Sequence, residues 1–174
     1  MPGMSHNTPF RRRYVKRFEA AGFSLIELLI VVAIILIIAA IAIPQYLKSR
    51  MQANEASAVS SIRAICSANT LYERNYLNGF APTLASLGPV PGGGPPTAAN
   101  ADVLDPLVAG GIKSGYQFTY TSTSVGGGPP EKFVINANPI SAGQTGNRYF
   151  FADQSMVIRF ETVGPATAAS PPVQ

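Results

Sequence analysis

The 21 residues from Phe23 to Ile43 hold only two that are not apolar, Ser24 and Glu27. Coiled as a helix, this run reaches roughly 32 Å, close to the ~30 Å hydrocarbon thickness of a bilayer. From Leu28 to Ile43 there is no alternation of the kind a half-buried strand requires. Glu27 opposes insertion by roughly 3 kcal/mol, whereas the twelve Leu, Ile and Val residues after it favour insertion by roughly 0.3 to 0.6 kcal/mol each. The balance predicts one membrane-spanning helix with its carboxylate included.

Orientation follows from charge. Arg11, Arg12, Arg13, Lys16 and Arg17 precede the span, and basic flanks stay in the cytoplasm, so the body of the chain is exported. Of the 13 Lys/Arg and 9 Asp/Glu, five and one precede Phe23, leaving eight of each in the remainder. The net charge of +4 therefore belongs to the leader. It marks topology rather than a nucleic-acid footprint, and no nucleic-acid partner is predicted. Ala40-Ile41-Ala42 also offers a signal-peptide reading with cleavage near Ile43, but the apolar run exceeds a usual signal core and Pro44 follows closely.

Beyond the span, Pro44 removes an amide donor and predicts a kink. Helical patterning then resumes. Ala58, Ile62, Ile65, Asn69, Tyr72 and Tyr76 recur at alternating four- and three-residue spacing, a stripe suited to packing on a sheet. Arg50, Gln52, Asn54, Glu55, Arg63 and Arg74 are assigned to the opposite, solvated side. Asn78-Gly79 supplies a stop. One nearly continuous helix from about Phe23 to Leu77 would be roughly 80 Å long.

The 31 Gly and Pro residues cluster at Gly88–Pro96, at Gly126–Pro130 and after Pro165, which predicts loops. Tyr116, Phe118 and Tyr120 alternate with Gln117, Thr119 and Thr121, the period of a strand with one buried face. Lys132–Asn136, Arg148–Ala152 and Met156–Glu161 read as further strands, with a turn at Asp153-Gln154-Ser155, and Val103–Val108 reads as a turn or short helix. The fold class expected is α+β: a long N-terminal helix, transmembrane in its first half and amphipathic in its second, packed on a small antiparallel sheet.

The residues Gly22-Phe23-Ser24-Leu25-Ile26-Glu27, continuing LLIVVAIILIIAAIAIPQY to Tyr46, resemble the start of type IV prepilins and pseudopilins over about 25 positions. Lys113–Tyr120 and Arg148–Glu161 are also similar, more weakly, to stretches of bacterial pilin-like proteins. The resemblance implies cleavage between Gly22 and Phe23 by a prepilin peptidase, methylation of Phe23, and retention of the helix. It further implies a homopolymer served by an inner-membrane assembly platform and an ATPase. Ala20 and Ala21 stand where family leaders often carry basic residues. Glu27 then has two readings: a partner across subunits for the new amine at Phe23, since a carboxylate in a bilayer usually has one, or a capping box with Ser24.

Catalytic chemistry finds little support. His6, the sole histidine, lies in the leader, which removes His-based nucleophiles and histidine zinc sites from the mature chain, so no catalytic residue, metal or cofactor is assigned. Cys66 has no internal partner and reads as core, a departure from pilins that close a C-terminal loop with a disulfide. Asp102, Asp105 and Asp153 are too sparse for calcium, and Asp105 and Asp153 read better as turn residues. The aromatics of the late strands read as core rather than as base-stacking platforms.

The expected organisation is a leader at residues 1–22, a transmembrane and assembly helix at 23–46, an amphipathic helix at 47–78, loop and sheet at 79–164, and a flexible tail at 165–174. The function expected is a non-enzymatic pilin-like subunit, single-pass in the inner membrane as a precursor and then part of a cell-surface filament. A type II secretion major pseudopilin or minor pilin is the nearest alternative, with a periplasmic pseudopilus as its product. A single-pass anchored binding domain that never polymerises is the more distant one.

Overall fold

The computed structural model describes residues 22–124 and 126–173. The predicted leader, apart from Gly22, lies outside the described residues. The chain divides into two units, Met1–Ala40 and Ile41–Gln174.

Helix α1 covers Leu25–Tyr76 and crosses both units. In the first unit, its described residues are exposed in the single chain, apart from half-buried Ala39. Helical structure runs on through Pro44. In the second unit, the predicted stripe is the buried one: Ala58, Ile62, Ile65 and Asn69 are fully buried, and Tyr72 nearly so. The helix stops slightly before Asn78-Gly79. Leu77 takes the left-handed conformation at φ 48°, its amide bonding the Glu73 carbonyl, and Gly79 follows at φ 67°. Gly79 is needed there because a Cβ would collide with the Pro130 carbonyl oxygen.

Five strands follow: β1 (Ile112–Lys113), β2 (Tyr116–Ser124), β3 (Pro130–Pro139), β4 (Tyr149–Asp153) and β5 (Arg159–Glu161). They form one antiparallel sheet in sequence order. Tyr116, Phe118, Phe133, Ile135, Ala137, Phe150 and Ala152 make its core face, as period-two alternation requires. Fully burying a residue such as Phe133 or Phe150 is worth about 1.5–3 kcal/mol, so this face and the α1 stripe hold the second unit together. Strand β5 begins at Arg159 rather than Met156, because Met156 sits at φ 61°, incompatible with extended pairing. At the end of the Val103–Val108 stretch a short helix α2 (Pro106–Ala109) forms and runs one residue past it, capped by Asp105, whose Oδ1 accepts the amides of Leu107 and Val108.

Two expectations are corrected. Glu55, assigned to the solvated side, is only 6% exposed. The terminal segment expected to be flexible lies along β5. Phe160 donates to the Pro171 carbonyl, Val173 to that of Ile158, and Arg159 Nη1 to that of Ser170. Backbone pairing and the burial of Ala166 and Ser170 hold this segment in place, which a count of Gly, Pro and Ala cannot anticipate.

Candidate functional site

The candidate site is the start of α1. Gly22 and Phe23 are non-helical and exposed, Phe23 by 84%, so the bond between them is not shielded by any described residue. Ser24 precedes the first helical residue, and its amide donates to Glu27 Oε2 at 3.4 Å. That is one arm of the capping box, placing a carboxylate in the first turn where free amides and the helix dipole favour it. Pro44 is exposed within α1.

The surface that follows is its defining property. Leu25 to Ile38 presents large apolar side chains that are between 46% and 81% exposed. The helix is long and apolar enough to cross a membrane, with a mean hydropathy of 3.3 over its most apolar 18 residues, none of them buried. A contiguous patch of this size is covered by lipid or by protein in any stable state.

A second cluster, unrecognised in the sequence, lies within the second unit. Glu55 Oε1 accepts the amides of Asn147 (2.8 Å) and Arg148 (3.3 Å), and its Oε2 pairs with Arg148 Nε at 2.7 Å. The Arg148 guanidinium also lies over the rings of Phe150 and Phe160, 5.6 and 5.4 Å from their centres. Next to it, Asn54 Nδ2 donates to the Thr145 carbonyl at 2.9 Å. The loop between β3 and β4 is thereby fastened to α1. The signal was present: Glu55 continues the Ala58 stripe one step backward, three residues before it.

Cys66 is buried within the core, and burial, aided by Asp153, raises its thiol from 9.0 to about 11. Burial likewise raises Tyr72, Tyr116 and Tyr120. Tyr120 Oη bridges Asn69 Oδ1 and the Ala81 carbonyl, tying sheet, helix and connecting loop at one buried point. Among the described residues, no group of three or more His, Cys, Asp or Glu is placed to hold a metal ion. Asp105 caps α2 and lies 3.8 Å from Lys113, and Asp153 accepts the Ser155 amide, so both serve turns as expected.

A small α+β unit and a long apolar helix that follows an accessible Gly-Phe junction are features of a class, the membrane-anchored subunits with a prepilin-type amino terminus. Comparison with known proteins agrees. The family model described as the prokaryotic N-terminal methylation motif matches residues 17–43. The chain is 42% identical over 71 residues to the type IV major pilin protein PilA of Myxococcus xanthus (strain DK1622). That match covers 38% of this chain and 32% of the relative, so the chain matches about a third of the relative's length. No solved structure matches. Both matches support the type IV pilin family, as the resemblance from Gly22 to Tyr46 implies.

Proposed function

We propose that this chain is a non-enzymatic filament subunit. Its precursor spans the inner membrane once, is cut between Gly22 and Phe23 by a prepilin peptidase, and is methylated at Phe23. An assembly platform and ATPase then move it from the bilayer into a helical polymer at the cell surface. The observation that carries this reading is the uncovered apolar helix, whose run to Ile43 falls within the residues 17–43 matched by the methylation motif. Leaving lipid for a polymer exchanges one apolar cover for another, so extraction costs little hydrophobic energy if the helices pack on one another.

Glu27 supplies register. When identical helices pack with an axial stagger, the Phe23 amine of one subunit meets the Glu27 carboxylate of its neighbour in a low-dielectric surrounding, where a mismatched pair is costly. Pro44 provides a point at which the helix can loosen during the transfer. The pilus is preferred to a secretion pseudopilus because the matched relative is a type IV major pilin.

Replacing Glu27 with Ala tests the reading. Membrane insertion and processing are expected to persist while filament yield falls at least tenfold, measured in sheared surface fractions. Wild-type filament yield from the Glu27→Ala chain would refute the register role.

A further inference from the structure

The apolar run of α1 ends at Tyr46 and Leu47, 65% and 48% exposed, and two exposed cations follow, Lys48 and Arg50. Among the described residues neither is ion-paired, whereas Lys113 and Arg148 each face a carboxylate. Each lines a groove beside the helix. Arg50 shares one of about 490 Å³ with Leu47, Asn54, Gly143, Gln144 and Thr145. Lys48 shares another of about 360 Å³ with Met51, Gln52, Glu55, Asn147 and Arg148. The walls are built: Asn54 holds Thr145, the Ser141 amide donates to Thr145 Oγ1, and Glu55 holds Asn147 and Arg148. With Glu55 already engaged by three N–H donors, both grooves carry net positive charge against an apolar edge.

Position supplies the ligand. Phe23 to Leu47 measures about 37 Å along a helix axis, more than the ~30 Å hydrocarbon layer and less than the 40–45 Å that includes the headgroups. Lys48 and Arg50 therefore stand at headgroup depth in the exported leaflet, with Tyr46 at the interface where tyrosine is favoured. This placement runs against the usual bias of cations toward the cytoplasm. Once the five leader cations are removed with residues 1–22, Lys48 and Arg50 are the only Lys or Arg side chains flanking the span, on the far side, and the new Phe23 amine is the positive charge left at its start.

We propose that Lys48 and Arg50, with the grooves they line, bind the phosphates of anionic glycerophospholipids in the exported leaflet and so hold the processed subunit at a fixed height before assembly. The guanidinium and ammonium meet phosphate while Leu47 and Met51 meet the glycerol and first acyl carbons. The inference rests on the membrane reading proposed above.

The test uses the processed full chain in nanodiscs of phosphatidylglycerol or phosphatidylcholine, with lipids retained after release counted by native mass spectrometry. A cation near an anionic surface is worth about fivefold, so the pair predicts about a 25-fold preference for phosphatidylglycerol. Lys48→Ala/Arg50→Ala is expected to bring retention near parity, and Arg63→Ala/Arg74→Ala, farther along the helix, to leave it unchanged. Equal retention of the two lipids by the wild-type chain, or a preference that survives Lys48→Ala/Arg50→Ala, overturns the lipid site. The chain has no tryptophan, so Leu36→Trp quenched by brominated acyl chains reports insertion separately. Absence of quenching overturns the membrane reading and the lipid site with it.

Discussion

Glu55 shows how a charged side chain can be structural. Its carboxylate is 8% exposed and engaged three times, while its partner Arg148 keeps 37% of its side chain in water, so solvent screens part of the pair. Glu55→Ala removes every acceptor at once and is expected to cost about 2 kcal/mol, with Glu55→Gln costing less because one oxygen remains for the two amides. Thermal unfolding of the detergent-solubilised full chain measures the difference. Equal stability of Glu55→Ala and wild type would show that the loop between β3 and β4 needs no tether. Buried acids with raised pKa values make a second residue-level prediction. Unfolded Cys66 releases its proton near 9.0 and folded Cys66 near 11, so the folded state holds more protons in that interval and stability falls as pH rises through it. Tyr72, Tyr116 and Tyr120 act in the same direction from about 10 upward. Denaturant midpoints are expected to be flat from pH 7 to 8.5 and to decline above 9, and Cys66 is expected to resist alkylation at pH 8 until the chain unfolds.

At the scale of elements, periodic patterns are legible in the sequence and pairing across the chain is not. The apolar run, the Ala58 to Tyr76 stripe and the alternation at Tyr116 to Thr121 each repeat a local rule, and all three fall in elements of the expected type. Glu55 reads as solvated from its charge, although its spacing places it on the buried stripe. The two-residue β1 is too short to carry a pattern, and the terminal segment is ordered by backbone groups that leave no mark on composition. That segment yields a prediction. Deleting residues 165–174 strips partners from Ile158, Phe160 and Arg159, all at the sheet edge, and uncovers one side of Phe160 where it meets Arg148. A loss of about 2 kcal/mol is expected, read as an earlier thermal transition and faster amide exchange in β5. Unchanged exchange at Phe160 would show that the segment adds nothing to the edge.

For the whole molecule, one covered unit and one uncovered helical segment occupy the same chain. The sheet, the α1 stripe and their polar links complete the second unit by itself, whereas the apolar residues of 25–38 have no cover within the described chain. In the proposed assembly cycle, lipid and then neighbouring subunits provide that cover, with Glu27 fixing the stagger and the cations at Lys48 and Arg50 fixing the height beforehand. The candidate site is legible from Gly22 to Glu27 because it is a contiguous motif whose chemistry needs no folding to assemble it. The cycle requires that the helix survive processing. Mass spectrometry of the amino terminus of material sheared from the cell surface measures that directly: a chain beginning at Phe23 and carrying one added methyl group is the predicted result, and a chain beginning at Ile43 would contradict it.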